Sequence, residues 1–258
     1  MIDTHAHLAF DEFSNLDEII DGAKKSGVRK IISSSSNIAD SQKAIELSRK
    51  YPGIIYPSVG IHPQQTDPQN KQSIRQQLDA LERMVKSNKV YAIGETGLDF
   101  SEPPPPEIAR TIDQQIGLFK GQIQIAKQYN LPLIIHSRKA FKEVVRILKD
   151  EPDVKGVFHC YSSGKKGIKD VLDLGYYFGV DGNLTYEEGL QAVYKNIPIE
   201  NILLETDSPF LTPIPHRGKM NKPEYLKYIL EVLAKTKNIP SREMDKQTDQ
   251  NAHKLFSF

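Results

Sequence analysis

"EIARTIDQQIGLFKGQIQIAKQYNLPLIIHS", residues 107–137, holds the pattern that decides the fold. Ile108, Ile112, Ile116, Phe119, Ile123 and Ala126 recur at steps of three and four, which is one apolar stripe of a helix over 107–129. The apolar, β-branched stretch 131–137 follows and reads as a strand, as does "VYAIGETGLD" (90–99) before it. The same alternation runs through the chain. Further strands are expected at 1–8, 30–36, 54–62, 155–162, 176–182 and 202–209. Further helices are expected at 15–26, 71–87, 139–150, 164–174, 187–195, 222–236 and 241–255, with one more running to residue 50 from an Asn37 cap followed by Asp40. Eight strand–helix units predict a (β/α)8 TIM barrel, one domain over 1–258, with a doubly wound open sheet as the alternative. No fixed-period repeat emerges, and "PPPP" (103–106) reads as a stiff extended loop.

The 258 residues are 38% apolar and 26% charged, a globular balance rather than a disordered one. Lys and Arg number 34 against 33 Asp and Glu, a net charge of +1. That balance does not suit a protein that coats long duplex nucleic acid, but it leaves room for a local site for a few phosphates. Cys160 is the only cysteine, so no intrachain disulfide is possible. With neither a secretory leader nor a membrane span in the pattern, a reducing cytoplasmic setting is expected.

The chemistry lies in the histidines and acids. In "MIDTHAHLAF" (1–10), the period of two puts Asp3, His5 and His7 on one strand face. His62 ends the third strand, Glu95 lies in the fourth, His136 ends the fifth, His159 sits in the sixth and Asp207 in the eighth. Each alone has an ordinary structural reading. A barrel carries all of them to one rim, and their convergence there points to metal binding. Without a thiolate cluster, the mixed donors permit Zn2+, Mg2+ or Mn2+. His5, His7, His136 and His159 with Glu95 and Asp207 are too many ligands for one tetrahedral ion. They suit two divalent ions bridged by Glu95. The local excess of positive charge would favour an anionic substrate.

"DTHAHL", "VGIHP", "IGETGLDF", "LPLIIHSR", "HCYSSG" and "ETDSPFLTP", followed by "HRGKMNKP", together resemble the TatD family of metal-dependent deoxyribonucleases, in order and from end to end of the chain. The resemblance implies that His5, His7 and Asp207 hold one ion, His136 and His159 the other, with Glu95 between them. It implies hydrolysis of DNA phosphodiester bonds from an end, as a 3′–5′ exodeoxyribonuclease. His62 would meet the substrate phosphate, and Arg217 and Lys219 would face substrate. Glu95 and Asp207 are the expected catalytic carboxylates, with Asp207 the base for the attacking water. "SEPPPP" and "CYSSG" depart from the usual family pattern and touch the rim contacts, not the ligands.

The same metal chemistry would also cleave a carboxylic ester, such as aminoacyl-tRNA, a small ester or a lactone. Barrel hydrolases for amides and triesters often bridge their metals with a modified lysine, and "YAIGETGLDF" has none. A non-catalytic nucleic-acid-binding protein is the third reading. Glu205 is read as either a support for the ligands or a core hydrogen bond, and Cys160 as a buried thiol facing away from His159. His216 is read as a loop residue that could touch substrate, and His253 as unrelated to the site. Phe100 and Tyr161 are packing residues or base-stacking platforms. Oligomeric state is not legible.

Overall fold

Strand pairing decides between barrel and open sheet. The computed structural model describes residues 1–65, 73–102 and 110–258. Eight parallel strands pair in chain order: β1 (Ile2–Ala6), β2 (Lys30–Ser33), β3 (Ile55–Val59), β4 (Ala92–Asp99), β5 (Leu133–Arg138), β6 (Gly156–Phe158), β7 (Tyr177–Val180) and β8 (Ile202–Leu204). The ring closes where the segment after β8 meets the end of β1. Asp207 N–H donates to His5 O at 2.9 Å and His7 N–H donates to Ser208 O at 2.7 Å. Helices α1 (Leu16–Lys25), α2 (Ile38–Lys50), α3 (Ile74–Ser87), α4 (Ile112–Tyr129), α5 (Phe141–Lys149), α6 (Ile168–Asp173), α7 (Glu188–Tyr194) and α8 (Leu226–Lys237) follow the strands in turn, and α9 (Ser241–Phe256) ends the chain. This is the (β/α)8 barrel that the alternation predicts.

Strand parity separates two apolar layers. Ile2, Ile32, Ala92, Ile134, Val157, Tyr177 and Leu203 fill the barrel floor, where Ala252, Leu255 and Phe256 of α9 plug it. Their neighbours Ile31, Ile93, Leu133, Ile135, Phe158 and Leu204 pack outward against the helices. The expected strand lengths need correction. His7, His62, His159 and Asp207 all lie beyond the last residue of their strands. Backbone there must bend across the mouth: Cys160 and Asp207 take φ of 47° and 53°, which no strand residue adopts. Cys160 therefore does not alternate with His159 on a strand.

Helix α4 also corrects the sequence pattern. Ile108, like "PPPP", lies outside the described residues, and Ile112 is 53% exposed. The buried face instead runs through Gln115, Leu118, Phe119, Gln122, Ile123 and Ala126. Two glutamines occupy places that a hydrophobic stripe would give to isoleucines. At Gly97, φ is +134°, and a Cβ would stand 2.0 Å from His136 O, so β4 and β5 approach as closely as they do only because that residue is glycine. No helix among the described residues is long and apolar enough to cross a membrane. Truncating the floor plug with Phe256→Ala removes a ring that is 2% exposed. It is expected to lower unfolding stability by about 3–5 kcal/mol, read by urea denaturation followed by circular dichroism.

Candidate metal centre

Glu95, on β4, points its buried carboxylate into the barrel mouth among five imidazoles. Its Oε2 lies 3.7 Å from His5 Nε2 and 3.5 Å from His7 Nε2. Its Oε1 lies 2.8 Å from both His136 Nδ1 and His159 Nε2, and 3.7 Å from His62 Nε2. Each oxygen thus faces a different set of rings. Asp207 Oδ1 completes the first set, 3.3 Å from the Nε2 atoms of both His5 and His7, which are 3.1 Å apart. Bonds of about 2.0–2.1 Å to a tetrahedral ion put its donors about 3.3–3.4 Å from one another. The measured edges therefore fit one divalent cation within His5, His7, Glu95 and Asp207. The second set, Glu95 Oε1 with His136 and His159, has its two nitrogens 3.3 Å apart.

Surrounding groups fix the rings. The run Ser34–Ser36, read in sequence only as strand, is buried and grips three site residues. Ser34 Oγ stands 3.1 Å from His5 Nδ1, Ser35 O accepts Glu95 N–H at 2.8 Å, and Ser36 O accepts His62 N–H at 2.9 Å. Burial foremost, then the His159 charge, holds His5 well below the ordinary imidazole range, so the ring stays neutral. In the tautomer that gives Nδ1–H to Ser34, Nε2 keeps a lone pair for a cation. Asp99, absent from the sequence expectation, lies 3.1 Å from His136 Nε2 through its Oδ2. It stands four residues beyond Glu95 on the same face of β4, and that period-two register was the signal available. The two glutamines of α4 clamp backbone beside the site. Gln115 donates to Asp99 O and accepts from Asp99 N–H, both at 2.9 Å. Gln122 does the same at Ile61, at 3.0 and 2.8 Å, next to His62.

The charges separate the carboxylates. Burial would raise Glu95, but His159 and His136 outweigh it and hold the carboxylate ionised, well below its ordinary range. Asp99 is likewise lowered: hydrogen bonds from His136 and Ser101 overcome its burial. Glu205 goes the other way. Burial first, then Asp181, raises it well above the usual carboxyl range. Its Oε1 accepts Cys160 N–H at 2.5 Å and lies 3.8 Å from His159 Nδ1. His5, His159 and Glu205 bring ligand atoms within 4.8 Å of one another, but a protonated Glu205 is a poor third donor. His62 is lowered to about 3 by burial and by His136. Its Nδ1 accepts Gln64 N–H at 3.2 Å, so Nε2 carries the proton and donates into the mouth rather than ligating.

Other expected residues stay apart from this cluster. Asp3 binds Thr206 N–H at 2.9 Å and Thr206 Oγ1 at 2.6 Å across the closing seam. Arg217 and Lys219 are exposed on the loop after β8, and Arg217 lies 3.9 Å over the Tyr186 ring. His216 stacks on Tyr225, and His253 meets Phe258 at the floor. Tyr161 packs against Phe178 and Phe141 and is no stacking platform. Cys160, expected to be buried, is half-buried, and desolvation raises its thiol.

A sequence profile of TatD related DNases matches residues 2–257. The chain is 35% identical over 261 residues to the metal-dependent hydrolase YabD of Bacillus subtilis (strain 168), covering 99% of this chain and 98% of that one. It is 32% identical over 264 residues to deoxyribonuclease TATDN3 of Homo sapiens, covering 99% and 94%. The crystal structure of YJJV, a TatD homolog from Escherichia coli K12, superposes with a TM-score of 0.89 at 30% identity, covering 100% and 98%.

In the metal-free chain, burial would lower His136, but Asp99 and Glu95 raise it to about 9. Its folded pKa is above the unfolded value of 6.5, so this charge stabilises the chelated protein fully below pH 6.5, and the contribution is lost as pH rises through about 9. Urea unfolding of chelated protein across that range reads the loss. A cation must displace the His136 proton, so metal affinity there is expected to climb with pH up to about 9. Asp99→Asn is expected to lower that affinity about 10–100-fold in calorimetric titration.

Proposed function

The chain belongs to the TatD-related DNase family of metal-dependent hydrolases, and from that membership we propose a 3′–5′ exodeoxyribonuclease with a dinuclear divalent-metal centre. The observation that carries the reading is the division of the Glu95 carboxylate, one oxygen toward His5 and His7 and the other toward His136 and His159. His5, His7 and Asp207 would hold one cation and His136 and His159 the other, with the Glu95 carboxylate facing both. Bound there, Zn2+, Mg2+ or Mn2+ acidifies water and offsets charge on phosphate oxygens.

The remaining work falls to side chains. Asp207 is buried beside both Nε2 atoms of the first set, yet its side chain keeps 11% of its surface open, so it can accept the proton of the attacking water. His62 Nε2–H, held in that tautomer by Gln64, donates to a phosphate oxygen and strengthens as charge develops there. Because His62 is neutral, the donor does not compete with the cations for position. Arg217 and Lys219, exposed on the loop after β8, approach the outer phosphates. A cytoplasmic, one-domain enzyme that engages DNA ends over a short footprint fits the net charge of +1.

The test is digestion of oligonucleotides labelled at either end, with and without chelator. Chelation is expected to abolish product. A ladder shortening from the 3′ end is expected with divalent ion restored. Asp207→Asn is expected to lower kcat about 10²–10⁴-fold at an unaltered melting temperature. Turnover of an aminoacyl ester without cleavage of DNA would transfer the assignment to ester hydrolysis.

A further inference from the structure

At the C-terminal ends of β4 and β5 a cavity opens, bounded also by the segment after β6. It measures about 740 Å³ and is lined by Phe100, Ser137, Arg138, Lys139, Lys142 and Ser163, among others. Phe100 follows Asp99 in sequence, and Arg138 is two residues beyond His136, so the cavity lies at the ends of the two strands that carry Glu95 and His136. Arg138, Lys139 and Lys142 are all exposed. None of the three has an acidic partner among the described residues. The one acid in the lining, Glu143, is taken by Arg146 at 2.6 and 3.0 Å. Three unpaired cations facing one open space repel one another, and an anion threaded among them removes that cost. Lys139 holds a φ of 53°, an uncommon backbone for lysine, and so presents its side chain from a fixed turn.

We propose that this cavity is a subsite for the sugar–phosphate backbone of the nucleic-acid strand next to the cleaved bond, with Arg138, Lys139 and Lys142 on its phosphates and Phe100 against a base. The proposal rests on the nuclease reading and deepens it. It gives the strand a direction across the mouth, from the Arg217 side to the β5–β6 side. Ser137 Oγ, buried and without a hydrogen-bond partner, offers a donor at the inner end of the track. Phe100 is half-buried against the core on one face, which leaves its other face for stacking.

The test compares wild type with Arg138→Ala/Lys139→Asn/Lys142→Ala, where asparagine keeps the left-handed turn. Lys24→Ala/Lys25→Ala, at the opposite end of the barrel, removes like charge away from the mouth as a control. Binding of an uncleavable phosphorothioate single strand is titrated against salt, with melting temperatures matched. Each lost phosphate contact is expected to flatten the log–log salt slope by about 0.7 and to cost about fivefold in affinity near 0.1 M salt, about a hundredfold for three. The kcat/KM for an oligonucleotide relative to bis(4-nitrophenyl) phosphate is expected to fall in parallel, through KM. A triple variant with the wild-type slope, or a control variant with the same loss, overturns the subsite while leaving nuclease activity standing. Wild-type protein that binds no strand at any salt overturns both.

Discussion

A carboxylate buried in the mouth of a barrel, with imidazoles on both sides, is the interaction to which the other features answer. Glu95 could not stay ionised there alone, because desolvation of one charge costs several kcal/mol. His159 and His136 keep it ionised, and its two oxygens divide the rings into two sets. The first set draws on both ends of the chain, and only ring closure unites it. The hydrogen bonds that close the barrel, Asp207 N–H to His5 O and His7 N–H to Ser208 O, are made by the backbone of ligand residues and their neighbour. Barrel closure and assembly of the first ligand set are therefore one event. The Asp3–Thr206 bonds reinforce that same seam from below.

The carboxylates around the mouth are not equivalent, and the difference is environmental. Glu95 and Asp99 touch imidazoles and remain anionic. Asp181 and Glu205, buried together behind β6, have mainly burial acting on them. Asp181 is raised to about 6 and Glu205 well above the usual carboxyl range. The anions available to a cation thus lie on the β4 side and at Asp207, while the β7–β8 interior is closer to neutral. Gly179 sustains this arrangement, because a Cβ there would come within 2.4 Å of Glu205 Oε2.

The gathering of these histidines and acids was legible in sequence because metal donors are few residue types and a barrel brings strand ends to one rim. Hydrophobic period gave the number and order of elements for the same reason. What escaped was support. Phe119, Ile123 and Ala126 of the expected stripe are buried, but Gln115 and Gln122 share that face for their amide bonds to backbone, and Ile112 at its start is exposed. Ser34, Ser35 and Ser36 read only as strand, and nothing in composition marks a serine hydroxyl or carbonyl as the group that orients a histidine. Strand ends were overdrawn because loop residues beyond β1, β3, β6 and β8 keep their apolar neighbours while the backbone turns inward. Asp99 was within reach, since period two from Glu95 put it on the ligand face.

Net charge and local charge answer different questions about substrate. A balance of +1 cannot attract long polyanions from a distance, since like numbers of both signs are spread over the surface. Beside the β4 and β5 loops the balance breaks. Glu95, Asp99 and Glu205 are buried, whereas Arg138, Lys139 and Lys142 stand exposed around one cavity. Such a field is felt only within about a Debye length, roughly 8–10 Å in ordinary salt, which spans one or two nucleotides. On the proposed nuclease reading, a nearly neutral chain would engage a strongly charged polymer by contact rather than by long-range capture.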